Sequence, residues 1–204
     1  MAHRTLTAAV AFAALVLGGS HARAVPIDVT ITATGSGTIG ATPFESAPFT
    51  LRLIGDTADR RTIDANTHDI PLTSASIAIT GVGTAQFTDP TRVFAFRGNP
   101  QYSAAAGFSR AGVEQSDILD IEGAAFNTWD MTTDIGPVFD ANLQPLSQAV
   151  GLPTTLGTLN FSAYRNGTFT ADVVPEPAAA GVSAVALAAL AARRPRRRRR
   201  IERR

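Results

Sequence analysis

The acidic residues that lie closest together are the first candidates for chemistry. Asp117, Asp120 and Glu122 follow Glu114 within a short stretch. On a β-strand, Asp120 and Glu122 would share a face, because residues two apart point the same way. Such carboxylates can bind Ca²⁺ or, with an acid from another strand, act as an acid/base pair. The alternative, which we favour, is a solvated strand edge whose charges discourage aggregation, so we predict no metal site.

A second fragment is similar to a nucleophile turn. Gly107-Phe108-Ser109-Arg110-Ala111 approaches the Gly-x-Ser-x-Gly pattern of α/β-hydrolases, but it ends in Ala. Beyond residue 24 the chain has one histidine, His68, and it precedes the serine, whereas in that hydrolase order it follows. We therefore predict no catalytic residue, and we interpret His68 as a polar loop residue beside Asp69.

A glycine-rich fragment has the spacing of a dinucleotide-binding loop. Gly35-Ser36-Gly37-Thr38-Ile39-Gly40 fits Gly-x-Gly-x-x-Gly, with Asp56 or Asp59 where a ribose-binding acid would stand. That site requires a helix to begin at the glycines, whereas an alternating, strand-like pattern follows them. We predict a β-turn or bulge here, and no cofactor, since EF-hand, zinc and Walker patterns are also missing from the sequence.

Aromatic residues offer one more possible site. Trp129 with Tyr102 and Tyr164 could form a platform on which sugar rings stack. Single aromatic residues in a β-protein more often pack in the core or at its rim. A carbohydrate-binding module therefore stays the alternative to a protein without a glycan site.

The elements that must position these residues are mostly β-strands. Apolar and polar residues alternate over 27–33 and 49–53, and Thr, Ile, Val and Phe dominate further short runs. Gly, Pro and Asn pairs separate these runs, and Asn166-Gly167 predicts a type I′ hairpin turn. Only 140–150 looks helical. We predict one mainly β domain over 25–173, an antiparallel β-sandwich or a jelly-roll-like fold.

Charge is divided sharply along the chain. Residues 25–174 contain seven Arg against twelve Asp and three Glu, a formal charge of −8, although the full chain carries +1. An acidic body argues against binding of nucleic acid or anionic membranes by this domain. The chain has no cysteine, so burial alone must stabilise a core of this size.

The first 24 residues have the features of a cleavable signal peptide. His3 and Arg4 precede an apolar run over 6–17, and the small residues Ala22 and Ala24 flank Arg23. We predict cleavage by signal peptidase after Ala24, so that the mature chain begins at Val25. The apolar run is too short to span a membrane.

The C-terminal segment 174–204 combines three features in order. The first is Pro175-Glu176-Pro177, whose prolines favour an extended backbone. The second is an uncharged, Ala-rich run over 178–192, which predicts a short transmembrane helix of about 22 Å against a hydrocarbon core of about 30 Å. The third is an arginine run, which favours retention on the cytoplasmic side. It includes Arg193, Arg194, Arg196 and Arg197 and continues through Arg200.

This order of features resembles the PEP-CTERM sorting signal of Gram-negative and related bacteria. The resemblance covers 174–204 alone and implies that Pro175, Glu176 and Pro177 are recognised by an exosortase, a membrane transpeptidase-like enzyme that cuts near them. It also implies that Arg193 to Arg200 retain the segment until the cut. A plain tail anchor and a basic nucleic-acid-binding tail are the alternatives. The helix is shorter than usual for the family.

Together these features predict an exported, surface-sorted protein of the bacterial envelope or extracellular polymer, without enzymatic activity. Its expected partners are signal peptidase, an exosortase-type transpeptidase and extracellular polysaccharide, and no nucleic acid. The alternatives are a carbohydrate-binding module of the same fold and, less favoured, a secreted hydrolase with paired carboxylates built on Asp120 or Glu122.

Overall fold

The computed structural model describes residues 25–112, 117–141 and 151–174. The predicted signal peptide, with Ala22 and Ala24, and the predicted sorting segment from Pro175 lie outside these residues. Within the described part of the chain, no helix has both the length and the apolar character needed to cross a bilayer.

The described residues form eleven strands and two short 3₁₀ turns, Thr57–Asp59 and Ala124–Asn127. The strands are β1 (Pro26–Ile39), β2 (Thr42–Asp56), β3 (Arg61–Thr62), β4 (Thr67–Ile79), β5 (Gly83–Gln86), β6 (Thr91–Phe96), β7 (Ala105–Arg110), β8 (Asp117–Glu122), β9 (Ile135–Asp140), β10 (Leu152–Thr154) and β11 (Gly157–Val173).

All the strand pairs are antiparallel and belong to one sheet, in the order β10-β11-β1-β2-β4-β6-β7-β8. β3 and β5 pair with β4, and β9 pairs with β11. The prediction of a mainly β, antiparallel fold is confirmed. The sheet is continuous and nearly closed, which the prediction of a sandwich or jelly roll did not specify.

β4 is the strand through which the sheet bends. Its first part, Thr67 to Pro71, pairs with β6, whereas its second part, Leu72 to Ile79, pairs with β2. The register between β2 and β4 shifts where the two parts meet. One strand therefore carries the sheet around the core, as strands do at the corners of closed β-folds.

The core follows from the alternation of the long strands. On β1, Ile27, Val29 and Ile31 are fully buried. Val29 lies opposite Leu53 of β2, and Ile31 lies opposite Phe169 of β11. Each such fully buried side chain contributes about 1.5 to 3 kcal/mol through removal of apolar surface from water.

Three contacts bring the ends of the sheet together. The Tyr164 hydroxyl of β11 donates to the Ile118 carbonyl of β8 at 2.7 Å. The Glu122 amide of β8 donates to the Asp140 carboxylate of β9 at 3.1 Å. Beyond β5, Phe87 forms an isolated bridge with Thr154 of β10. These contacts explain why the sheet is nearly closed.

One local prediction is wrong, and a second fails at its first residue. Asn166-Gly167 is not a hairpin turn, because β11 runs through it and the register with β1 shifts there. Asn166 and Gly167 instead form a β-bulge. Asn166 has φ of 55°, the left-handed conformation that a type I′ turn would also require. Asp140, the first residue of the predicted helix, ends β9, and 142–150 lie outside the described residues.

The two ends of the described domain lie side by side. Pro26 begins β1, and its carbonyl accepts a hydrogen bond of 2.9 Å from the amide of Val174, directly after β11. Because β1 and β11 are adjacent and antiparallel, the chain enters and leaves the domain at the same end of the sheet.

Candidate functional site

At the end of the sheet opposite the termini, a row of residues crosses three strands. Gly37 of β1 lies opposite Phe44 of β2 on one side and Phe161 of β11 on the other. The rings of Phe44 and Phe161 meet edge to face, with centroids 5.8 Å apart. Phe161 also contacts the rings of Phe49 and Tyr164.

The glycines of the Gly-x-Gly-x-x-Gly fragment serve this arrangement. A Cβ added at Gly37 would lie 2.0 Å from the Asn160 carbonyl oxygen, so only glycine allows this approach of β1 to β11. Beside Gly37, the register of β1 shifts both with β11 and with β2. Gly40 turns the chain between β1 and β2 with φ of 57°. The predicted bulge and turn are both present in this fragment.

These strands line an open surface groove of about 590 Å³. Its lining combines the rings of Phe44 and Phe161 with exposed polar groups. The polar and small lining residues are Ser36, Gly37, Thr38, Pro43, Glu45, Asn160 and Ser162. We call these residues, with the two rings, the β1–β2–β11 groove.

The lining of the β1–β2–β11 groove suits neutral ligands that carry hydroxyl groups. A carboxylate, a carboxamide and hydroxyl groups stand beside apolar rings, and no arginine or histidine is among the lining residues. A carboxylate accepts hydrogen bonds from hydroxyl groups and a carboxamide both accepts and donates them, while aromatic rings cover apolar C–H surface. The groove is therefore better suited to sugar-like ligands than to anions.

The predicted acidic residues Asp117, Asp120 and Glu122 all lie on β8. The Ser109 hydroxyl donates a short hydrogen bond to Asp117, and Arg92 Nη2 lies 4.0 Å from the same carboxylate. Asp120 is partly buried opposite Gly107. Burial, the largest cause, and the charges of Asp117, Glu122 and Asp140 together raise the pKa of Asp120 to about 6.

The described members of this acidic group do not converge on one point. No set of three or more His, Cys, Asp or Glu side chains in the described residues is arranged to hold a metal ion. A recess of about 370 Å³ is lined by Glu122, Ser103 and Asn127, but Asp120 does not line it. Asp120, the acid of this group whose pKa is raised, is thus not among the residues that line the recess.

Ser109 belongs to a charged network, not to a nucleophile turn. It lies within β7, fully buried, and its bonded partner is Asp117. Arg92 connects Asp117 to Asp69, which is completely buried and also accepts two hydrogen bonds from Arg61, at 2.8 and 2.7 Å. The network joins β3, β4, β6, β7 and β8.

The interpretation of His68 as a polar loop residue is wrong. His68 lies in β4 and is 5% exposed, because it faces the interior between β3 and β6. Its Nδ1 is 3.3 Å from Thr62 Oγ1, and Nε2 has no hydrogen-bond partner. Burial lowers the pKa of His68, and the positive charges of Arg60 and Arg97 lower it further.

The three predicted platform residues do not meet. Trp129 is buried, donates from Nε1 to the Thr133 carbonyl and packs against Phe126 and Phe169. Tyr164 is buried, whereas Tyr102 is 67% exposed. The core alternative is therefore correct for Trp129 and Tyr164.

Sequence reasoning missed the groove residues Glu45 and Asn160. Their signal is that 42–45 and 160–162 lie on opposite sides of β1 at Gly37, which becomes visible only when the strand register is known. Comparison with protein-family models, with curated proteins and with solved structures gives no match.

Proposed function

We propose that this chain is an exported protein that is sorted to the bacterial surface or extracellular polymer, where its β domain acts without enzymatic activity. Signal peptidase removes 1–24, and an exosortase-type transpeptidase cuts near Pro175-Glu176-Pro177. The arginines from Arg193 retain the segment until that cut.

One observation carries this proposal. The last hydrogen bond of the sheet joins Val174 N–H to the Pro26 carbonyl, directly before Pro175. Proline has no amide proton and cannot continue the ladder. A cut beyond this point would therefore leave every strand of the described domain intact, which supports processing at the PEP segment.

The test is the intact mass and membrane fractionation of the protein from its native host. The wild-type mass should lack the residues beyond the PEP region, and the protein should leave the membrane fraction. Changing Pro175, Glu176 and Pro177 to Ala should keep the full C-terminus at the membrane. The control is Glu202→Ala, which changes the other glutamate of the tail and should be processed like the wild type.

A wild-type mass that retains Arg193 to Arg204 would contradict the proposal and leave a plain tail anchor. Release of the triple-alanine variant at the wild-type rate would show that the PEP residues are not recognised.

The β1–β2–β11 groove supports a second candidate, a carbohydrate-binding module. Its polar groups and rings suit a neutral polysaccharide, and it lies at the end of the sheet away from both termini. Binding of the processed protein to a glycan array, followed by titration calorimetry, tests this candidate.

For a groove-bound glycan, Glu45→Gln and Asn160→Ala should each weaken binding about tenfold, the effect of losing about one good hydrogen bond. Glu122→Gln is the control, because Glu122 is an exposed carboxylate that lines a different recess. Equal effects at Glu45 and Glu122, or no binding to any glycan, would contradict the candidate.

A further inference from the structure

Val25, the residue after the predicted cleavage site, is held by one turn. Its backbone nitrogen donates to Asp56 Oδ1 at 3.1 Å. Its carbonyl accepts from the Thr57 amide at 3.0 Å and from the Thr57 hydroxyl at 3.1 Å. Asp56 Oδ1 also accepts from the Ala58 amide at 2.8 Å and so caps the first 3₁₀ turn.

Cleavage after Ala24 would change the chemistry of this contact. In the uncut chain the Val25 nitrogen is a neutral amide with one proton to donate. After hydrolysis it is an α-ammonium with three protons and a positive charge. The bond to Asp56 then joins two opposite charges, whereas in the uncut chain only its carboxylate acceptor is charged.

We propose that removal of the signal peptide converts the Val25–Asp56 hydrogen bond into an ion pair that fastens the mature N-terminus to the sheet. This inference rests on the cleavage position in the proposed function. It adds that the cleavage product has a binding site on its own domain, made by Asp56 and Thr57.

The charged groups around this end favour a cation. Asp59 lies in the same turn as Thr57, and Arg60 follows at its C-terminal end. Asp134 accepts a hydrogen bond of 2.6 Å from the Val173 amide. Further along the strands, Asp28 pairs with Arg52 and lies opposite Asp172. Together with Asp56, these residues amount to five carboxylates and two arginines, so negative charge predominates.

The contact is specific to one N-terminal residue. A chain that begins at Ala24 keeps a neutral amide at Val25 and moves the ammonium one residue, about 3.3 Å, along the chain. A one-residue extension is therefore a matched control that leaves every side chain of the domain unchanged.

The experiment compares chains that begin at Val25 or at Ala24 and continue to Arg204, kept in detergent, each with Asp56 or Asp56→Asn. A cleavable tag gives the defined N-terminus. The measurements are the pKa of the α-amino group, from the pH dependence of its selective acylation, and the thermal midpoint at pH 6.5 and pH 10.

For the Val25 chain we expect an α-amino pKa clearly above the usual value of about 7.7 to 8.0. The Ala24 chain and the Val25 chain with Asp56→Asn should have the usual value. A raised pKa stabilises the fold below the unfolded-state pKa, and this contribution disappears as the pH rises through the folded-state pKa. The Val25 chain should therefore lose its advantage in thermal midpoint at pH 10.

The same α-amino pKa in the Val25 and Ala24 chains, or an unchanged pKa in Asp56→Asn, would overturn the ion pair. The intact mass of the natural protein tests the cleavage position separately. A natural N-terminus other than Val25 would overturn that position and, with it, the role of the pair in maturation, even if the engineered Val25 chain showed the shift.

Discussion

At the scale of single residues, two aspartates accept paired hydrogen bonds from arginine in very different surroundings. Asp69 is fully buried between Arg61 and Arg92, whereas the pair of Asp28 and Arg52 is exposed. Removing one partner of a buried charge network leaves an uncompensated charge and costs about 3 to 5 kcal/mol. Exposed pairs contribute about 1 kcal/mol or less.

We therefore expect Asp69→Asn to lower the free energy of unfolding by about 3 kcal/mol and Asp28→Asn by less than about 1 kcal/mol. Urea denaturation of the two variants measures both values. Similar losses in the two variants would show that the buried network does not stabilise the sheet.

Asp120 gives a prediction for pH. Its pKa is raised to about 6 in the folded protein, so the protonated form is favoured by the fold. The contribution of Asp120 to stability is fully present below the unfolded-state pKa of about 4 and is lost as the pH rises through about 6.

Asp120→Asn should therefore gain stability relative to wild type between pH 4 and pH 7, by at most about 3 kcal/mol. Denaturation at both pH values measures this gain. Asp172→Asn, a change of the same kind at an exposed position of β11, is the control. A pH-independent difference between Asp120→Asn and wild type would contradict the raised pKa.

Residue types alone could predict part of this chemistry. The sequence identified Asp117, Asp120 and Glu122 as a group and argued against a triad on Ser109. It could not predict that Asp120 is partly buried or that His68 faces the interior, because burial depends on which strands cover each face.

At the scale of elements, Gly37 shows how one small residue positions a groove. A Cβ at this position would overlap the Asn160 carbonyl of β11. Gly37→Ala should therefore force β1 away from β11 and cost about 2 to 3 kcal/mol, the range for added groups in a packed interior. Any glycan binding in the β1–β2–β11 groove should also weaken.

The control for Gly37→Ala is Thr38→Ala, at the next, exposed position of β1. Denaturation midpoints of the two variants decide the matter. If Gly37→Ala is no less stable than Thr38→Ala, then the glycine is not required by the approach of the strands.

The elements were predictable where alternation was regular. β1 and β2 follow directly from their alternating residues, whereas β7 is buried throughout most of its length and has no alternation to detect. Asn166-Gly167 was misinterpreted because a hairpin turn and a bulge can use the same left-handed conformation, and only the partner strand distinguishes them.

At the scale of the whole molecule, Tyr164 connects β11 to β8. Ile118 is the bulge residue of β8, skipped in the register with β7, and its carbonyl accepts the Tyr164 hydroxyl. Tyr164→Phe removes this donor and leaves the Ile118 carbonyl without this hydrogen bond, which should lower the free energy of unfolding by about 1 to 3 kcal/mol.

Tyr102→Phe is the matched control, because Tyr102 is exposed and its change should be nearly neutral. Thermal or urea unfolding of both variants measures the difference. Equal stability of the two variants would show that the contact between β11 and β8 does not help to close the sheet.

The antiparallel class of the whole fold was predictable from strand-like patterning and turn residues. The order of the strands was not, because β4 changes partners midway and β1 pairs with β11, the last strand of the described domain. Such long-range pairing leaves no local mark on the sequence.

The adjacency of the two ends also has a mechanical consequence. Val25 and Val174 lie at one end of the neighbouring strands β1 and β11. A force that pulls these ends apart would break the ladder between β1 and β11 one hydrogen bond at a time, since the bonds lie perpendicular to antiparallel strands. A chain held at both termini would unzip under a small load, whereas the cleavage of 1–24 that we propose would leave this ladder free of tension.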